Sequence, residues 1–152
     1  MIAFNDFSEL SNAAGMDLGS TDYVLISQEM INQFAHITKD DQWIHTNPDI
    51  AALQSPYGCC VAQGFLTLSL LSHLVSQLCF IKSKMCINYG FNQLRFEEVV
   101  LASNRVRLCA SVRQVRMIRA TNAFITLDVT VEIENKKKPA LKAEWMLLAI
   151  NH

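Results

Sequence analysis

The chain of 152 residues sets 13 Lys and Arg against 14 Asp and Glu, a formal charge of −1, with 51% hydrophobic and 18% charged residues. That balance gives no electrostatic footprint for nucleic acid or an anionic membrane, and it lies outside the disordered range. One domain of this length buries roughly 68–70% of its unfolded surface. The apolar-leaning run from Phe65 to Ile81 is broken by Thr67, Ser69, Ser72, His73, Ser76 and Gln77, so it is too polar to span a bilayer unaided. No basic segment followed by an apolar one opens the chain, and the cytoplasm is the expected compartment.

Residues 1–20 show no steady period and read as an irregular lead-in to a short extended piece, Tyr23 to Ile26. A helix follows. Ser27 is suited to cap it, Glu29 places an acid in the first turn, and Met30, Ile31, Phe34 and Ala35 form one apolar stripe. The stripe stops near Thr38, where Lys39-Asp40-Asp41-Gln42 begins a polar segment. Asn47-Pro48 supplies a cap and a first-position proline for a short helix to about Leu53, and Ser55-Pro56-Tyr57-Gly58 is a turn. Gln63 to Leu78 predicts one long helix, apolar on more than one face and therefore buried on most sides.

Behind that helix the period changes to two. Ile87 to Phe96 reads as a strand with Gly90 inside it, and Val106, Leu108, Ala110 and Val112 alternate with polar residues. Ile125, Leu127, Val129, Val131 and Ile133 repeat that alternation, and Asn135 to Pro139 connects into a last strand from Ala140 to Ile150. Helices first and antiparallel strands after predict an α+β fold, a curled antiparallel sheet wrapped around a long central helix, the hot-dog arrangement, over a single domain of residues 1–152. The strands outnumber what one helix covers, so edge pairing in a homodimer is expected. Five cysteines, with Cys59 and Cys60 adjacent and no CxxC pair, read as free thiols, with Cys79, Cys86 and Cys109 as small core hydrophobes.

Two segments carry candidate chemistry. In Asp40-Asp41-Gln42-Trp43-Ile44-His45 a carboxylate and an imidazole five residues apart on irregular backbone can address one small molecule, one taking a proton and the other giving it. The spacing alone is equally that of turn and cap residues. Gly64 opens the predicted central helix, where a free backbone N–H points out of the helix and can receive negative charge developing on an oxygen; the glycine alone equally fits close packing. Arg105, Arg107 and Arg113 share a strand face by parity, a candidate phosphate-binding patch or a solvated face. A metal site from His36, Asp40 and His45 lacks the local spacing of zinc motifs.

Taken together, Phe34-Ala35, Asp40-x-Gln42-Trp43-Ile44-His45, Ser55-Pro56-Tyr57-Gly58 and Gly64-Phe65-Leu66-Thr67-Leu68-Ser69-Leu70 resemble the MaoC-like hydratase/dehydratase family, in particular its nodulation protein N-like branch. Ile87-Asn88-Tyr89-Gly90 through Phe96, and Lys138-Pro139-Ala140 through Trp145, continue the match over about residues 27–150. The resemblance implies a hot-dog homodimer and reversible hydration of a trans-2-enoyl thioester, typically on coenzyme A, with no cofactor and no metal. It implies Asp40 and His45 as the catalytic pair and the Gly64 amide as receiver of the thioester oxygen, and we assign Gln42, Gln63 and Arg107 to substrate binding. The chain departs from the family pattern at Lys39, where relatives commonly have Gly, and at Gln63, where many have His. Two other readings stay open: a non-catalytic acyl-thioester-binding or dimerisation module, and an acyl-CoA thioesterase, against which residues 64–78 offer no Asp or Glu.

Overall fold

Strict alternation along three long strands dictates the architecture. The computed structural model describes residues 1–151. In β7 (Asn122–Ile133), in β8 (Leu141–Ile150), and in β6 (Arg105–Arg119) as far as Val112, alternate side chains are buried. Val106, Leu108, Val131, Leu127, Leu141 and Trp145 thus share an inner face, as the two-residue period of a pleated strand requires. The sheet runs β2-β6-β7-β8-β5, with β5 (Met85–Phe96) antiparallel to β8 at one edge and β2 (Asp17–Ser20) antiparallel to β6 at the other. The two-residue β3 (Val24–Leu25) also pairs with β6. Against the concave face lie α5 (Gly64–Ser69) and α6 (Leu71–Leu78), which bury Leu66, Leu71, Leu74 and Leu78 in the same core. This is the hot-dog arrangement.

The central helix departs from expectation in two ways. It is interrupted at Leu70, and Ser69 Oγ donates to Phe65 O at 2.7 Å, a back-bond to the carbonyl four residues earlier that bends helices. It is also buried on one side only: Phe65 is 66% exposed and Ser69, Ser72 and Ser76 continue an open stripe. The sheet wraps half of the helix and nothing in one chain covers the rest. The edge strand β5 shows the same incompleteness, with Met85, Ile87, Tyr89 and Phe96 all exposed.

The lead-in is more ordered than its composition predicts. Ile2–Phe4 forms β1, which pairs in parallel with β4 (Cys79–Ile81), and Phe7–Ser11 forms α1, capped by Asp6 through Glu9 N. Phe4, Phe7 and Leu10 enter the core. The cysteines are free, but of the three expected in the interior Cys86 is exposed and Cys79 and Cys109 are half-buried; burial, then the neighbouring Cys86, pushes the Cys79 thiol up to about 11. Among the described residues no helix is long and apolar enough to cross a membrane.

The helical caps follow the residue chemistry closely. Ser27 accepts from Met30 N at the start of α2 (Gln28–Thr38), and Asn47 accepts from Ile50 N at the start of α4 (Pro48–Gln54). Lys39 ends α2 in the left-handed conformation, φ 62° and ψ 24°, a helix-terminating position that favours glycine. A side chain there costs about 1 kcal/mol or more. Lys39→Gly is therefore expected to raise stability by about 1 kcal/mol, seen as about 2–4 °C in Tm by thermal denaturation.

Candidate functional site

The left-handed turn at Lys39 releases the chain from α2 and brings Asp40 back towards the single turn α3 (Trp43–Thr46). His45 lies in that turn. Its ring Nδ1 stands 2.6 Å from Val61 O, and a carbonyl only accepts, so Nδ1 carries the proton and Nε2 is left to exchange one. Nε2 lies 3.8 Å from Asp40 Oδ2, beyond direct hydrogen bonding and close enough for one water beside them to bond to both. The His45 side chain is 13% exposed and that of Asp40 38%. Gln42 Nε2 donates to the other carboxylate oxygen, Oδ1, at 2.9 Å, so Gln42 acts on Asp40 and orients it.

Val61 joins this pair to the helix. Its N–H donates to Ile44 O at 3.0 Å while its own carbonyl takes the His45 ring. One residue on, Ala62 N donates to Val100 O at 2.8 Å, which fixes the run leading into Gly64. A cavity of about 550 Å³ opens beside it, walled by Val61, Gly64, Thr67, Phe96 and Glu97 among others. That volume suits a small ligand. Asp40 and His45 are not among its lining residues; Val61, whose carbonyl meets the His45 ring, and Gly64 belong to the wall.

Phe96 crowds the space beside Gly64. A Cβ at this position would lie 3.0–3.2 Å from three carbons of the Phe96 ring. The same ring meets Phe65 edge-on, centroids 6.0 Å apart, so two exposed aromatics flank the first turn of α5. No side chain caps that turn, and its leading amides remain available.

Two expected binding residues are placed elsewhere. Gln63 is buried and its Nε2 donates, at 3.4 Å, to Ile31 O of α2; its amide faces α2, because that helix offers the nearest acceptor. Arg107 is committed to Glu132, its Nε and an NH₂ group each 2.7 Å from Glu132 Oε2, and it covers the Tyr23 ring at 4.9 Å. The hydrogen bond to Glu132 raises its pKa further above the ordinary guanidinium value. Arg113, at a bulge in β6, reaches Asp128 at 2.7 Å and Glu144 at 3.2 Å, and Arg105 faces Glu134 at 3.5 Å. Cross-strand acids thus neutralise the arginine face, which is no free phosphate patch. Sequence reasoning missed Glu97, Phe96 and Thr67 as cavity residues; only their nearness to Gly64 in space reveals them. Among the described residues no three His, Cys, Asp or Glu side chains cluster as metal ligands.

A family model described as MaoC like domain matches residues 9–134. Nodulation protein N of Rhizobium meliloti (strain 1021) is 42% identical over 144 residues, 93% of this chain and 89% of that protein. The 3-hydroxyacyl-thioester dehydratase Z of Mycobacterium tuberculosis (strain CDC 1551 / Oshkosh) is 41% identical over 145 residues, 95% of both chains. Among solved structures, the R-hydratase PhaJ1 from Pseudomonas aeruginosa in the unliganded form superposes with a TM-score of 0.73 at 18% identity, over 97% of this chain and 87% of that one.

The Gly64–Phe96 contact is testable as a coupling. Gly64→Ala is expected to destabilise by about 1 kcal/mol, the cost of forcing the ring off its rotamer. That loss should vanish when the substitution is made in a Phe96→Leu background, as measured by denaturant midpoints in a double-mutant cycle.

Proposed function

Because the chain belongs to the MaoC-like domain family, a hydratase/dehydratase enzyme, we propose that it adds water reversibly to a trans-2-enoyl thioester carried on coenzyme A, using Asp40 and His45. The observation that carries this reading is the joined geometry of the site: a carboxylate 3.8 Å from an imidazole whose other nitrogen is tied to Val61 O, three residues before the Gly64 amide. The dehydratase named above, 95% covered, supports the reaction class.

The chemistry follows from which atoms are free. Asp40 Oδ2 and His45 Nε2 are 3.8 Å apart, so a substrate water seated beside the two can hydrogen-bond to both at once. As the water oxygen bonds to Cβ, Asp40 accepts its proton, and Nε2–H of the imidazolium delivers a proton to Cα. The electron pair of the double bond passes through an enolate whose oxygen is held by the Gly64 N–H. The proton then returns from Asp40 to His45 through the next water to enter the site. Gln42 keeps Oδ1 occupied so that Oδ2 is the reacting oxygen.

The pair lies outside the cavity walls of a single chain, and β5 and the open helix face lie bare on the same subunit. The bare β5 edge supports a homodimer in which a second copy pairs along β5 and closes the site against water. A second reading, thioester hydrolysis, has one observation in its favour: Glu97 on the cavity wall beside Gly64.

Hydration of crotonyl-CoA, followed by loss of the enoyl absorbance, is expected to fall at least 100-fold in Asp40→Asn and in His45→Gln. Turnover unchanged in either variant would sink the pair, and release of free thiol at a comparable rate would favour hydrolysis. In gel filtration the chain is expected at twice its mass, and Ile87→Asp on β5 is expected to shift it to the monomer position.

A further inference from the structure

Thr67 lies one turn into α5 from Gly64, at the i+3 position that shares its face. It lines the same cavity and is 2% exposed, and its hydroxyl has no hydrogen-bond partner. Buried polar atoms are nearly always partnered, and an exception calls for a cause. A helical threonine ordinarily bonds the carbonyl four residues back. Here that carbonyl, Gln63 O, already receives Leu66 N at 3.1 Å and Thr67 N at 3.3 Å. Ser69, two residues on in the same helix, does take its own such carbonyl at 2.7 Å. Gln63 Oε1, itself without a partner, does not accept the Thr67 hydroxyl either. Protein atoms therefore leave one donor unused, at the wall of the cavity and within a turn of the amide proposed to hold the substrate oxygen.

We infer that the Thr67 hydroxyl is a substrate-contacting donor that joins the Gly64 N–H in binding the carbonyl oxygen of an acyl thioester. The inference rests on the hydratase reading and adds a residue to it. A hydroxyl donor at a fixed place beside a backbone amide makes a two-point cradle, whose hold strengthens as the oxygen gains charge.

The test compares Thr67→Val, which keeps the shape and removes the donor, with Thr67→Ser, which keeps the donor. With crotonyl-CoA, Thr67→Val is expected to lose about 100-fold in kcat/KM, mostly in kcat, and Thr67→Ser to stay within about threefold of the unsubstituted protein. Because Thr67→Val also removes a buried unpartnered hydroxyl, its Tm is expected to rise by about 2–4 °C, which separates lost chemistry from lost folding. Thr67→Val at full kcat/KM overturns the inference while leaving the hydratase reading intact. An unsubstituted protein that hydrates no enoyl thioester sinks the hydratase reading instead, and binding of butyryl-CoA by calorimetry then decides. A tenfold weaker Kd in Thr67→Val, restored in Thr67→Ser, upholds the donor. Equal affinity, or no binding at all, overturns it.

Discussion

The hydrogen bond from His45 Nδ1 to Val61 O organises the functional half of this molecule. At 2.6 Å it fixes the tautomer, the ring plane and the side of the imidazole that exchanges protons. Val61 is itself held at both ends, by its N–H on Ile44 O and by the neighbouring Ala62 N on Val100 O. One peptide therefore sets the imidazole relative to the start of the central helix. Gln28 Nε2 adds a bond to His45 O at 2.7 Å, so the α3 turn is gripped from α2 as well. A one-turn helix has no stability of its own; these tertiary bonds are what make it a fixed platform.

The same economy of backbone appears at the two ends of the site. Lys39 occupies a left-handed position without the freedom of glycine, and the turn it makes is what carries Asp40 to within 3.8 Å of His45. Local strain at a functional turn persists where surrounding contacts over-determine the conformation, and Gln42 on Asp40 with Val61 on His45 supplies that determination. At Gly64 the constraint is of another kind: the backbone is ordinary, and the Phe96 ring stands 3.0–3.2 Å from where a Cβ would go. A side chain costs backbone strain at one position and a shift of the facing ring at the other.

What the residues announced in advance follows this division between local and distant forces. The caps at Ser27 and Asn47, the two-residue alternation of β6, β7 and β8, and the turn after Ile133 are near-neighbour effects, and a linear reading recovers them. The nearness of Asp40 to His45 is also local, but their spacing alone reads equally as turn and cap residues, and only the resemblance singled the two out. The parallel pairing of Ile2–Phe4 with Cys79–Ile81 joins segments more than seventy residues apart and leaves no local period to read. The arginine face misled for the same reason: parity finds Arg105 and Arg107, but only the β6–β7 register puts Glu132 across from Arg107. Thr67 was hidden differently. A threonine in an apolar helix is unremarkable until its hydroxyl is found without an acceptor.

The remaining tension is between the apolar character of the central helix and how much of it one sheet covers. Period and composition asked for burial on most sides, yet Phe65 and a serine stripe stand open beside an edge strand whose alternate faces are both exposed. A twelve-residue edge with unpaired N–H and C=O groups invites another strand, and large aromatics seldom remain in water without reason. The two bare surfaces adjoin the wall of the cavity at Phe65 and Phe96. The open helix face and the bare edge are thus one continuous surface, and a symmetric neighbour applied along β5 is the single interface that covers both in the proposed dimer.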